Sequence, residues 1–452
     1  MVEQNLSLAE KVKKTSARWN PLRKVDTLGQ FDFNTCIVML DSLETKSVKD
    51  ITLADLKSEE KFDVVTYSRL TKALALAVHE YTHFVDSTST LWGLRHLRML
   101  HRSFTCDMTD ESKFHVMRTC YTHLKRIKLP DYYTTVTKEF DTARPWQWKA
   151  TSGREFRYDG KPGERPIFFV RFFNENWEPI VRSPISTVSL LETSAMAAEL
   201  RATASLIRRI QDDGERAVQT KIFENETMAY LYNENLTEYS VCAHLVANRF
   251  NASEASLTFW ASAIIARVVL NSSQDVYKAV LKNIKIFFDI VGLRNGQPEA
   301  KAIRRGLENC DPGVLFYVLC LRMDRNALDS VADFAMTLVA TLMRFGVHYN
   351  KDYVTTALAE AENIMEEVRS SRFKTIVDMA AAGFENLINT VSQYGMMDLH
   401  KMNLPPVLLG DSTLHNFHDV EHNCLNNFNV EDSYFEMLDG QLQMESFGDA
   451  CI

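Results

Sequence analysis

Apolar positions in this chain recur mostly at the three- and four-residue spacing of one-faced helices, and only a few short stretches carry the signature of strands. The first sustained helical run, Leu70 to Asp86, is built on Ala73-Leu74-Ala75-Leu76-Ala77, strong helix formers without Pro or Gly. A second runs from Thr90 to Ser103, and a third contains Leu190 to Leu200. Upstream, Cys36-Ile37-Val38-Met39-Leu40 reads as a buried strand. Arg154–Tyr158 and Ile167–Phe173 flank the turn Asp159-Gly160-Lys161-Pro162-Gly163 and read as a hairpin. From about Glu215 the pattern is almost continuously helical, with periodic segments at Ser256–Leu270, Val276–Val291, Ala327–Phe345, Tyr353–Val368 and Phe373–Val391. The expected class is therefore α+β and predominantly α-helical, with a small sheet and a hairpin in the first half. The expected organisation is a first domain over 1–214, a helical domain over 215–400, and a polar tail over 401–452, flexible or laid over a cleft.

Composition narrows the partners. With 452 residues the chain exceeds the usual ceiling for one core, and its 46% hydrophobic content is that of an ordinary globular protein. A net charge of -8, spread without a long basic block or a Gly-rich phosphate loop, argues against a dedicated nucleic-acid or nucleotide binder. Lys125-Arg126-Ile127-Lys128 and Arg208-Arg209 read as solvated helix faces. The eight cysteines form no CxxC pairs, as expected of reduced thiols. Met1 to Asn5 lacks the order of a signal peptide, and the apolar run Phe259 to Leu270 is interrupted by Arg267. A cytoplasmic protein without a membrane partner is the expectation.

The chemistry sits in the first helical run. His79-Glu80-Tyr81-Thr82-His83 is an HExxH pentapeptide, and residues four apart stack on one helix face, so both imidazoles can hold one ion while Glu80 stands beside it as a base. Chance supplies such a pentapeptide from time to time. Its flanks make the case better: Val78, Tyr81, Thr82, Phe84 and Val85 are uncharged, as expected where neighbours pack to hold ligands rigid. This is the core of a zinc hydrolase site, with His79 and His83 as ligands and Glu80 as general base.

Two histidines need a third ligand. The metzincin extension requires Gly at position 86 and His at position 89, where this chain has Asp86 and Ser89. Three acidic residues remain. Glu192 lies among apolar and small neighbours, where a carboxylate is costly to bury without a cation. Glu199, seven residues on, shares its helix face and is a ligand or an orienting partner for an imidazole. Glu234, in Asn233-Glu234-Asn235-Leu236-Thr237-Glu238, follows a pattern similar to thermolysin-like gluzincins, though much farther from His83 than in those enzymes.

His79 to Leu94 (HEYTHFVDSTSTLWGL) and Leu190 to Leu200 (LLETSAMAAEL) also resemble two segments of a largely uncharacterised group of bacterial HExxH proteins. The matching positions are His79, Glu80, His83, Phe84, Ser89, Thr90, Gly93, Leu94, Glu192 and Glu199. The later motif here reads Glu192-Thr193-Ser194-Ala195-Met196 and keeps only its acidic spacing and small-residue character. The resemblance implies a gluzincin-like zinc site in a zincin-like domain, favours Glu192 as third ligand, and implies no substrate.

Other candidates complete the expectation. Tyr230, Tyr232, Tyr239 and His244, taken as one helical segment, are candidate donors to a developing oxyanion. Asp86 either orients a ligand imidazole or begins the polar turn Ser87-Thr88-Ser89. His418-Asp419-Val420-Glu421-His422, with His415 upstream, formally matches the inverted HxxEH motif but lacks an apolar helix to hold it. The function these residues imply is a Zn2+-dependent metallopeptidase, an endopeptidase acting on a protein or peptide substrate, with the helical domain offering a surface to a regulatory partner. The contrasting expectation is a non-catalytic interaction protein in which the HExxH metal site is structural or vestigial.

Overall fold

The computed structural model describes residues 6–22, 28–137, 144–157, 160–418 and 423–451. Helices make up 62% of the molecule and the strands form two four-stranded sheets, so the fold is α+β and predominantly helical. The first sheet has the order β1-β2-β7-β8, with β1 Gln30–Phe31, β2 Val38–Leu40, β7 Val407–Leu409 and β8 Leu414–His415. Here β1 and β8 pair antiparallel with their neighbours, whereas β2 and β7 run parallel. The second has the order β3-β6-β5-β4, with β3 Thr135–Val136, β4 Gln147–Phe156, β5 Pro162–Phe173 and β6 Pro179–Pro184. The expected hairpin is β4 and β5: β4 begins seven residues before the expected Arg154 and β5 five before the expected Ile167, while Tyr158 and Asp159 lie outside the described residues.

Two helices govern the interior. The HExxH helix, Val64–Thr88, starts where the Asp63 side chain accepts from the Thr66 amide. It ends where Thr90 caps the next helix, Leu91–Phe104. Gly93 permits that sharp junction, because a Cβ there would lie 2.4 Å from the Ser87 backbone. The Glu192 helix, Thr187–Ile207, is capped by a Ser186/Ser189 capping box and packs along the HExxH helix on one side and the Ala255–Leu270 helix on another. Its first ten residues are all buried, which explains their apolar and small character.

Most segments read from periodicity appear within a residue or two, as in Ala255–Leu270 and Lys374–Thr390. Val276–Val291 is instead broken into Gln274–Lys282 and Lys285–Val291, with Asn283 donating to the Phe345 carbonyl at the break. One buried cluster runs from Ala9 to Phe447 and includes residues of all three expected segments, so no separate core marks either boundary.

The reading of 401–452 as a polar tail is corrected. Its strand β7 pairs with β2, and its last helix, Val430–Cys451, buries Val430, Tyr434, Met437, Met444 and Phe447 against the Leu91–Phe104 and Phe114–Ile127 helices. The stripe escaped notice because Ser433, Gly440 and Gln441 fill intervening buried positions and mask its apolar period.

Candidate metal centre

The HExxH helix and the Glu192 helix meet at three side chains. His79 Nε2 and His83 Nε2 lie 3.1 Å apart, and Glu192 Oε2 lies 3.8 Å from each of them. A point equidistant from those three atoms lies about 2.1 Å from each, the length of a bond from zinc to nitrogen or oxygen. The donor set, two imidazole nitrogens and one carboxylate oxygen, suits zinc, and the three residues form the group able to hold a metal ion among the described residues. His83 and Glu192 are buried, while the His79 side chain is 15% exposed.

Glu199 sets the histidine tautomer. Its Oε2 lies 2.7 Å from His79 Nδ1, so a proton on Nδ1 is donated to the carboxylate and the Nε2 lone pair faces His83 and Glu192. The seven-residue spacing of Glu192 and Glu199 thus serves two positions around one imidazole, one beside each ring nitrogen.

Glu80 is buried against β1, the edge strand of the first sheet. Burial pushes its carboxyl up to about 7, helped by the charges of Glu192 and Glu199 and opposed by His79 and the Phe31 backbone. Gly29 leaves room for it, since a Cβ at that position would come within 3.2 Å of Glu80 Cγ. For His79, burial acts downward, but the hydrogen bond and charge of Glu199, with Glu80 and Glu192, outweigh it and push the imidazole up to about 9. Three carboxylates and two imidazoles gathered out of water form a cluster short of positive charge.

Of the four candidate oxyanion donors, two feel the charge of Glu192 and two are engaged elsewhere. Tyr230, near the end of the Asp213–Leu231 helix, is held well above its usual pKa by burial and then by Glu192 and Glu199. Tyr239, on the Thr237–Phe250 helix, is raised by burial and then by Glu192. Both phenols stay protonated, as hydrogen-bond donors must. Tyr232 and His244 instead sit in an aromatic nest: both rings pack on Trp146, and His244 Nε2 lies 2.7 Å from the Leu231 carbonyl oxygen. The four are not one helical segment, because a turn and the short Glu234–Leu236 helix intervene.

The remaining candidates are placed elsewhere. Glu234 lies in that short helix, partly exposed, and is not part of the metal-holding group. Asp86, fully buried, reaches Arg267 Nε at 3.3 Å rather than a ligand imidazole. Burial raises its pKa against the pull of Arg267. His415 Nε2 lies 3.0 Å from the Ile51 carbonyl oxygen and buried His418 lies against Asn423, while 419–422, with the rest of the inverted motif, lie outside the described residues. Sequence reasoning missed Gly29 and Phe31, which seat Glu80, because a two-residue strand carries no periodic signal.

Among known proteins, no family model, curated sequence or solved structure matches this chain.

Proposed function

We propose that this protein is a zinc-dependent metallopeptidase whose ligands are His79, His83 and Glu192. The observation that carries the reading is the arrival of Glu192, from a separate helix more than a hundred residues along the chain, at 3.8 Å from both motif imidazoles. A bound zinc ion would polarise the scissile carbonyl and lower the pKa of a water in its open position. Glu80 is the general base: its buried carboxyl, next to the ligand His79 in the helix, takes the water proton and delivers it to the leaving amine. Tyr230 and Tyr239 are the donors for the developing oxyanion, both in the field of Glu192. A structural zinc would want four protein ligands, and the described residues offer three, with Glu199 engaged on His79. The substrate class is a protein or peptide. The setting is the cytoplasm, in keeping with eight free cysteines.

Metal analysis alongside a protease assay on an unstructured substrate such as casein tests the reading. Wild-type protein should carry about one zinc per chain, Glu192→Ala should lose it, and Glu80→Gln should keep it while losing roughly 10²–10⁴-fold in turnover. Tight zinc retained in Glu192→Ala would sink the coordination. Equal function in wild type and Glu80→Gln, with instability on chelation, would make the site structural instead.

A further inference from the structure

A cavity of about 780 Å³ has none of the triad residues in its wall. It is built on the same two helices, about a quarter turn round, with Val78 and Ala198 in its wall beside His79 and Glu199. Its volume falls within the range of small-molecule sites.

Its charge opposes that of the chain. In a protein of net charge -8, the wall carries Lys57, Arg201, Arg208, Arg267 and Lys401 against one carboxylate, Asp398. Asp398 is shared, at 3.2 Å from Lys57 Nζ and 3.9 Å from Lys401 Nζ, and Arg267 is taken by Asp86. Arg201 and Arg208 form no ion pair among the described residues. Arg201 lies in the last turns of the Thr187–Ile207 helix and Arg208 is its C-cap, seven positions on and about 10 Å along the axis, and long guanidinium side chains at that spacing can converge on a diphosphate-sized group. Ser205 stands between them on the same face.

The rest of the wall is largely apolar, with Leu53, Leu56, Val78, Ile264, Met396 and Met402 among its residues, and adds one indole and two amides. Trp260, whose ring also packs on Phe334 at 5.3 Å, contributes an indole, and Asn389 and Gln393 contribute amides that both donate and accept. An acyl chain would want an unbroken apolar tunnel instead. We propose that this cavity binds a nucleoside diphosphate, with Arg201 and Arg208 as the phosphate clamp and Trp260 stacking on the base. The fold reaches this without a Gly-rich phosphate loop, by placing side-chain cations where such a loop would place backbone amides. The proposal stands apart from the metal reading, since its test reads binding alone.

Isothermal titration calorimetry of the full chain with ADP, inorganic pyrophosphate and dodecanoate tests it. ADP should bind one per chain, pyrophosphate more weakly, dodecanoate not measurably. Arg201→Glu/Arg208→Glu, at two exposed positions, should weaken ADP by roughly ten-fold or more, and Arg201→Gln/Arg208→Gln by less. Lys149→Glu/Lys282→Glu, with the same change in net charge at other sites, should leave ADP binding within about two-fold. Loss of ADP binding in the Lys149/Lys282 variant equal to that in the arginine variant would reduce the effect to net charge and overturn the clamp. No ADP binding by wild type at millimolar concentration, or binding unchanged in Arg201→Glu/Arg208→Glu, as expected were ADP held by zinc at the triad, would overturn the proposal. Dodecanoate binding more tightly than ADP would do the same, in favour of an amphiphile.

Discussion

At the scale of single residues, the centre depends on carboxylates whose work differs by contact. Glu192 faces the ion-binding side of both imidazoles and Glu199 the far side of one, so the two should separate experimentally. Glu199→Gln keeps a partner for His79 Nδ1 but removes the charge that raises ligand basicity. It should weaken zinc roughly 10–100-fold, read by competition with a chelating dye, whereas Glu192→Ala should abolish tight binding. Equal effects of the two variants would show that Glu199 is itself a ligand. The sequence carried much of this: an HExxH spacing fixes the two imidazoles on one face because helical geometry is local. Buried-carboxylate logic reached Glu192 for the same reason that makes it expensive, since an ionised group among Leu190, Leu191 and Ala195 needs a cation. Tyr232 and His244 went astray because aromatic residues look alike in sequence, whether their polar atom faces a site or a carbonyl in the core.

At the scale of elements, the long periodic helices were legible and the short pairings were not. Ala255–Leu270 announces itself through twelve buried residues in sixteen, but β1 and β7 span two and three residues and exist only through their pairing with neighbouring strands. The last helix shows the same limit. Its buried Gly440 lies so close to Phe104 that a Cβ would stand 2.1 Å from the ring. Gly440→Val should therefore destabilise the protein by about 1–3 kcal/mol, seen as a lower urea midpoint, while exposed Asp439→Ala should stay within about 0.5 kcal/mol. A neutral Gly440→Val would mean that residues 430–451 do not dock. That docking matters for the site, because β7, which leads into the segment, aligns with β2, and β2 holds β1 beside Glu80.

At the scale of the whole molecule, one continuous core joins the HExxH and Glu192 helices to the helical half, and no single described helix is long and apolar enough to cross a membrane. Within that core three histidines sit neutral. Burial lowers His96 to about 4 and His244 to about 4, each against a carbonyl partner that acts upward. His123 falls to about 3 through burial and then the charges of His96, Arg165 and Arg126. Since their folded values lie below the unfolded value of about 6.5, the unfolded chain binds more protons as the medium turns acid. The share of stability these three rings supply should be full above about pH 6.5 and be lost towards pH 4; that loss exceeds the opposing gain from the raised Glu80 carboxyl, so urea midpoints should decline from pH 7 to pH 5, and less steeply in His123→Gln. A midpoint independent of pH over that interval would mean that these rings are open to solvent. By itself the sequence determined the helix that presents His79, Glu80 and His83, the helical weight of the fold, and the unease of Glu192 in an apolar run, because each follows from spacing or burial within one element. Only the tertiary structure decided which carboxylate meets both imidazoles, which tyrosines share that space, and that the last fifty residues close the first sheet. Those depend on distances between elements far apart in sequence, which the packing of a common core sets and no local period encodes.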